Sequence, residues 1–311
     1  MTDVKKQKVL AIVGPTASGK TALSIALAKR LNGEVVSFDS MQIYRGMDIG
    51  TAKPDVTERS GVPHHMFDVV SPNESFSCAD YAQMARRVIA DIHARGALPI
   101  LVGGTGLYLE SVLFTRSFES TPFDPAIRER LSALSPDVLW EQLCRVDPIS
   151  AAQIHKNNVR RVIRALEIYE ATGKTKAEQD AASRAEERYD SVLCGLDFVD
   201  RSVLSERIDR RVDRMVEAGL LEEVRAVAPL LSETARQAIG YKELLAYLDG
   251  SSTLTQAVET IKLRSRQYAK RQRTWFAHLS NVHWYYRDGN ESSADFLKIV
   301  NFFENIFTNR A

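Results

Sequence analysis

The sequence predicts an α/β fold: a parallel sheet flanked by helices and interrupted by a helical insertion. Three observations point there. Short apolar runs rich in β-branched residues alternate with amphipathic stretches over the N-terminal third. A glycine-rich loop joins the first run to the first amphipathic stretch. From about Phe114 to Arg188 strand signals vanish and the chain turns helical and charged, after which strand-like runs return.

The elements follow in order. Residues 8–13 (KVLAIV) read as a buried strand. Leu23, Leu27 and Leu31 then recur at helical spacing, with Lys29 and Arg30 in the last turn and Gly33 as the expected C-cap. Residues 34–38 (EVVSF) read as a second strand, ending at Asp39. Gly46, Gly50, Pro54, Gly61, Pro63 and Pro72 mark a long loop. Tyr81, Met84, Ala85, Val88, Ile89 and Ile92 share one face of a helix over Cys78–Ala94, which Gly96 ends. Residues 98–102 (LPILV) are a third buried strand. Asp124–Leu134 and Val159–Thr172 are helix candidates in the insertion. Residues 191–198 and 282–286 read as strands, and Val203–Ala218, Glu243–Leu248 and Leu254–Leu279 as helices. The expected organisation is a core of residues 1–113 and 190–311, with residues 114–189 as the insertion.

Composition narrows the class. The chain has 311 residues, 44% hydrophobic and 26% charged, which suits a soluble globular enzyme and excludes a mainly disordered chain or a fibre. No run approaches the ~20 apolar residues of a membrane-spanning helix. Met1–Lys8 is polar and basic, without an apolar signal segment, so the expected location is the cytoplasm. Cys78, Cys144 and Cys194 are widely spaced and form no CxxC, which fits a reducing compartment and argues against zinc. A net charge of +1 says nothing about a nucleic-acid partner; only its distribution can.

The glycine-rich loop carries the first chemical signal. Gly14, Pro15, Thr16, Ala17, Ser18, Gly19, Lys20 and Thr21 fit G-x-x-x-x-G-K-[ST] between a strand and a helix, so the core is expected to be P-loop NTPase-like. Glycines let successive N–H groups turn inward on an anion, and the helix beginning near Lys20 adds its positive dipole end. Lys20 would neutralise a terminal phosphate and the Thr21 hydroxyl would hold Mg²⁺. A diphosphate ester suits such a loop as well as ATP or another nucleoside triphosphate. The second signal is an acid. The third strand ends in Gly103-Gly104-Thr105-Gly106 without one, whereas the second ends at Asp39. Strand ends of a parallel sheet face the ligand crevice, which places Asp39 near the loop as base or metal partner.

Seven strings then identify a resemblance: GPTASGKT (14–21), SFDSMQIYRGMDIGTAKP (37–54), PHHMFDVVSPNESFS (63–77), LPILVGGTGLY (98–108), NNVRRVIRALEIYEATG (157–173), AIGYKE (238–243) and RQYAKRQRTWF (266–276). In this order they resemble the bacterial tRNA dimethylallyltransferases, or tRNA isopentenyl transferases. The resemblance implies transfer of a dimethylallyl group from dimethylallyl diphosphate to the six-position amine of the adenosine 3′ of the tRNA anticodon, assisted by Mg²⁺. It implies Asp39 as the base, Thr105 as a contact to the target nucleotide and Arg211 as a contact to the diphosphate. It further implies tRNA contacts by Asp39, Ser40, Met41 and Gln42, by Arg160, Arg161, Val162, Ile163 and Arg164, and by Arg236, Gln237, Ala238, Ile239, Gly240 and Tyr241. Arg128 is a further candidate, and a monomer is expected.

The residue chemistry agrees with that reading. An adenine amine is a weak nucleophile, and a carboxylate taking its proton would help by ~10²–10⁴-fold. The target base has to leave its stack to be reached. Two segments are locally basic, His155–Lys176 and Lys262–Arg273, and RNA loops are gripped through their phosphates. In the second segment Lys262, Arg266, Lys270 and Arg273 fall on one side, with Arg264 and Arg271 opposite. Tyr268 and Trp275 are candidates to stack or to pack, and Gln42 to meet the adenine edge. His64 and His65 lack partners at metal-ligand spacing and read as structural. Three other classes share parts of this pattern: a small-molecule kinase or ATPase, an adenylate isopentenyl transferase acting on free nucleotide, and a non-catalytic RNA-binding module. The long Asp39–Pro54 string and the basic insertion speak against the first, the insertion against the second, and Asp39 beside Lys20 and Thr21 against the third.

Overall fold

A computed structural model describes residues 6–115, 124–182, 186–289 and 293–309. The chain before Lys6, part of the polar start noted above, lies outside them. Two compact units are present: Met1–Leu113 with Arg188–Ala311, and Phe114–Glu187.

The first unit contains β1 (Lys8–Val13), α1 (Lys20–Leu31), β2 (Gly33–Ser37), α2 (Val56–Arg59), β3 (His64–His65), α3 (Cys78–Ala94), β4 (Leu98–Val102) and α4 (Gly106–Leu113). The second contains α5 (Pro125–Ser132), α6 (Pro136–Val146), α7 (Pro148–Gln153), α8 (Val159–Thr172) and α9 (Lys176–Ala182). The chain then returns to the first unit with β5 (Asp190–Phe198), α10 (Arg201–Glu217), α11 (Leu220–Val227), α12 (Tyr241–Leu248), α13 (Leu254–Phe276), β6 (Val282–Arg287) and α14 (Ser293–Asn309).

Six strands form one parallel sheet in the order β3-β2-β4-β1-β5-β6. β1 is central, with Ala11 opposite Leu101 on one side and Leu193 on the other. Covered on both faces, it can be apolar at every position, which is why KVLAIV shows no alternation. Leu23 and Leu27 of α1 join Val300 and Phe303 of α14 over Leu10, Ile12 and Ile100 on one face. On the other side the Tyr81 hydroxyl of α3 donates to the carbonyl of Ser37 at 2.9 Å, and its ring stacks on Tyr108 with centroids 4.1 Å apart. The stretch after β2 has a core of its own, in which Tyr44 and Met47 pack with Val212, Leu220, Val224 and Tyr241.

Several expectations are corrected by the backbone. The left-handed residue ending α1 is Asn32 (φ 48°), and Gly33 begins β2 instead. A Cβ on Gly33 would lie 2.7 Å from the Ile100 side chain, so the glycine serves strand packing. The long loop contains α2 and the two-residue β3, elements too short to leave a periodic signal. The helix expected from Asp124 to Leu134 spans Pro125–Ser132, capped by Asp124 accepting from the Ala126 amide at 2.9 Å. Helices α4, α11 and α14 lie outside the helices the periodicity predicts, while α6, α7 and α9 fall in the stretch expected to be helical but without predicted spans.

The second unit is a small helical body around Leu131, Leu139, Leu143, Val162, Ile163 and Leu166. Val162 is 1% and Ile163 9% exposed, so these two side chains face that core and not an RNA surface. Arg128 and Arg164 both pair with the buried Glu167, the latter at 3.3 Å. A buried carboxylate needs such partners, and their loss would strand it. Arg160 and Arg161 remain exposed at the start of α8.

Phe303, which is fully buried, tests the unexpected role of α14 in covering the sheet. Phe303→Ala should cost about 3–5 kcal/mol. Urea unfolding followed by circular dichroism measures it, and a change below about 1 kcal/mol would contradict the packing.

Candidate active site

β1 runs directly into the phosphate loop. Gly14 has φ 140°, and a Cβ there would overlap the Leu196 carbonyl of the neighbouring strand. Gly19 (φ 95°) turns the chain into α1. The loop is also held from outside. Arg207 of α10 donates to the Ala17 carbonyl at 3.1 Å, and Arg287 of β6 donates to the Ser18 carbonyl at 2.8 Å. Each guanidinium lies 5.3 Å from the ring centroid of Phe198. Lys20 Nζ donates to the carbonyls of Gly14 (2.9 Å) and Pro15 (2.7 Å).

Beside the loop opens a cavity of about 1000 Å³, whose wall includes Thr16, Lys20, Thr21, Asp39, Gly103, Gly104, Arg207 and Arg211. The first turn of α1 forms part of that wall, so its unbonded amides and dipole end are at the cavity surface. A second, more apolar cavity of about 250 Å³ is lined by Met41, Ile208, Val212, Met215, Leu220, Ile239 and Ile261, among others. Thr16, Asp39, Thr51, Arg211 and Tyr268 line both cavities, which therefore meet at Asp39.

Asp39 ends the turn after β2. Its Oδ1 accepts from the Met41 amide at 2.9 Å. Thr105 Oγ1 accepts from the Ser40 amide at 3.0 Å and lies 3.2 Å from the Ser40 hydroxyl, which ties the GGTG turn to the Asp39 turn. Gln42, expected at the adenine edge, is engaged within the protein. It donates to the carbonyls of Thr51 (3.1 Å) and Ala52 (3.3 Å) and accepts from the Ser37 hydroxyl at 2.8 Å. These bonds support the Thr51 wall, and Gln42 itself lines the larger cavity.

That wall has a second support with no local sequence signal. Glu223 of α11 accepts from the amides of Asp48 (2.8 Å), Ile49 (2.7 Å) and Gly50 (3.0 Å) and from the Tyr241 hydroxyl (2.5 Å). Lys53, its side chain nearly buried, bridges Asp48 (2.5 Å) and Asp68 (2.6 Å). Of the 236–241 string, Gln237, Ala238, Ile239 and Gly240 line the smaller cavity, while Arg236 is exposed. Tyr241 is fully buried, its ring against Gly50, which corrects its expected contact with RNA.

The basic face of α13 is likewise largely internal. Lys262 pairs with Asp213 at 2.8 Å, Arg266 with Asp209 at 2.5 Å and Arg273 with Asp197 at 2.6 Å. Three of the four cations placed on one side thus face acids of α10 and β5. Lys270, Arg264 and Arg271 are exposed, and Arg271 lies 5.6 Å from the Tyr268 ring centroid. His65 pairs with Glu34 at 2.6 Å and His64 lies 2.8 Å from the Val62 carbonyl, both structural contacts. Among the described residues no group of three or more His, Cys, Asp or Glu is placed to hold a metal ion.

Burial governs the charges here. It lowers Lys20 to about 7, helped by Arg211 and opposed by Asp39 and Asp197. Burial also raises Asp39, against hydrogen bonds from the Met41 and Gln42 amides and the charges of Lys20 and Arg211.

The IPP transferase family model matches residues 42–279. The chain is 52% identical over 281 residues to a tRNA dimethylallyltransferase of Anoxybacillus flavithermus, covering 90% of both chains. It is 51% identical over 289 residues to the Bacillus subtilis protein of the same name, covering 90% of this chain and 91% of that one. A crystal structure of the tRNA isopentenylpyrophosphate transferase from Bacillus halodurans aligns with a TM-score of 0.73 at 47% identity, over 96% of both chains. A eukaryotic dimethylallyltransferase acting on tRNA aligns with a TM-score of 0.84 at 32% identity, over 98% of this chain and 80% of that one.

Lys20 predicts a pH effect on anion binding. With its folded pKa at about 7, the lysine is increasingly neutral above that pH and must take up a proton to pair with a diphosphate. Affinity for a diphosphate ester should weaken as pH rises from 7 to 9, by up to about tenfold per unit. The ester's own last ionisation, near pH 6, is largely complete over that range. Calorimetric titration in the absence of RNA checks it, and a flat dependence would contradict it.

Proposed function

The chain belongs to the IPP transferase family, and from that premise we infer that it is a tRNA dimethylallyltransferase. It moves a dimethylallyl group from dimethylallyl diphosphate to the exocyclic six-position amine of the adenosine 3′ of the tRNA anticodon, and diphosphate leaves. The observation that carries this reading is the meeting of an anion cradle and a mostly apolar cavity at one carboxylate, Asp39.

The donor's diphosphate would lie in the larger cavity against the first turn of α1, Lys20 and Arg211. Its negative charge restores the full charge of Lys20, which burial has weakened. Thr21, exposed on the cavity wall, would hold a magnesium ion together with diphosphate oxygens and water, a donor set that suits this cation. That ion would supply further neutralisation of the leaving group. The target nucleobase would enter the smaller cavity along the Gln237–Gly240 wall, extruded from its stack.

In the transfer the bond from the allylic carbon to the diphosphate oxygen breaks and the bond to the amine nitrogen forms. Asp39 takes the amine proton. Raised by burial, its carboxyl is a better proton acceptor than an exposed aspartate. Lys20, Arg211 and the α1 amides stabilise the charge that develops on the departing diphosphate. Thr105 and Ser40 hold the Asp39 turn in place.

In the helical unit, Lys156, Arg160 and Arg161 are exposed and would take RNA phosphates, whereas Arg128 and Arg164 are committed to Glu167. No helix among the described residues is long and apolar enough to cross a membrane.

Radiolabelled dimethylallyl diphosphate, offered with unmodified tRNA or with AMP, tests the reading. Label should enter tRNA and not AMP; label in AMP would favour the free-nucleotide class, and ATP hydrolysis without transfer the kinase class. Asp39→Asn should keep tRNA affinity and lose about 10²–10⁴-fold in turnover. The acid limb of the wild-type pH–rate profile should lie above the ordinary aspartate range, because activity falls as the raised carboxyl is protonated.

A further inference from the structure

We infer that Gln272 and Tyr268 are positioning residues for the transfer step: a clamp on α13 that sets the spacing between the donor loop and the acceptor-side turn. The inference rests on the reaction proposed above.

The two residues are four apart and share one face of the helix. Both donate to the same atom, the carbonyl oxygen of Gly104, Tyr268 from its hydroxyl at 3.2 Å and Gln272 from Nε2 at 3.1 Å. One carbonyl oxygen has two lone pairs, so this acceptor is saturated. The other end of the Gln272 amide, Oε1, accepts the backbone N–H of Thr16 at 2.8 Å. One side chain thus holds a residue of the phosphate loop and a residue of the GGTG turn together. The link continues to the base. Thr105 follows Gly104 in the chain, and its Oγ1 accepts from the amide of Ser40, the neighbour of Asp39.

Four further observations fit a gauge more than a filler. Gln272 is 4% exposed, yet both ends of its amide are bonded, so no water intervenes to give the linkage play. A primary amide is planar and of fixed width, which makes the spacing a covalent quantity. A Cβ on Gly104 would lie 2.0 Å from Gln272 Nε2, so a side chain there displaces this amide. The turn is therefore built around this amide. Tyr268 lines both cavities as well as bonding Gly104, so its ring stands where the two substrates would meet. The packing of α13 does not need these groups, since Ile261, Ala269 and Phe276 already bury its apolar side.

The reaction gives the spacing its value. Amine and allylic carbon must approach to about 3–3.5 Å in line, and a misplacement of about 1 Å costs on the order of 10²-fold in rate. Donor and acceptor sit on separate loops, and a side chain bridging those loops affects the approach more than it affects either binding event.

The test compares single-turnover transfer at saturating donor and tRNA with the dissociation constant of each substrate alone. Wild-type protein that transfers no label to tRNA would overturn the reaction itself, and the clamp with it. With an active wild type, Gln272→Ala should lower the saturated rate by about 10²-fold, while both dissociation constants move less than about threefold. Gly104→Ala should be severe in the wild-type background and nearly silent beside Gln272→Ala, where the overlapping amide is gone. Should Gln272→Ala fail to fold, Tyr268→Phe decides, since it removes a single hydroxyl; it should slow the saturated step by about 3–10-fold, the worth of one hydrogen bond, with binding unchanged. A saturated rate within about twofold of wild type in these variants, or a loss explained by weaker binding, would overturn the clamp.

Discussion

β2, β4, β1 and β5 are neighbours and run parallel, so their C-terminal ends lie along a single edge of the sheet, and each end delivers one part of the site. β1 opens into the phosphate loop. β2 ends beside Asp39, and β4 ends at the GGTG turn. Near the end of β5, Asp197 anchors α13 through its bond to Arg273. None of these groups is near another in sequence. Their convergence follows from strand direction, and a sheet with one of these strands reversed would carry its share of the chemistry to the opposite edge.

That edge carries charge on a cavity wall. Lys20, Arg211 and Asp39 are half-buried there, and the loss of water shifts the lysine down and the aspartate up. Each is poorer in charge than it would be in water. A bound anion would restore the lysine's charge, and a proton would satisfy the aspartate.

The sequence makes legible what is local. A β-branched run between turn signals identified β1, and the phosphate loop carries its own spacing rule. The seventeen-residue α3 shows its apolar face over several turns. Short elements such as α2 and β3 have no room for a period. The functional set divides in the same way. Lys20, Asp39 and Thr105 sit at strand ends that the pattern locates. Gln272 and Glu223 act through bonds to residues far away in sequence, and a lone polar residue on a helix does not announce such partners. The basic run of α13 shows the converse error. Composition reveals the sign of Lys262, Arg266 and Arg273, but their opposing acids on α10 and β5 become visible only in three dimensions.

Glu223 holds the Ile49 amide across 174 residues of chain. A ribosome that has just delivered the long loop has therefore not yet made the carboxylate that shapes it. The phosphate loop and the first three strands of its sheet can emerge early, but the nucleobase side acquires its wall only after α11 and α12 have been synthesised. Arg207 and Arg287, which hold the phosphate loop, and Arg211 on its cavity wall come equally late in the chain. Both cavities therefore acquire their walls only as the last third of the polypeptide is made.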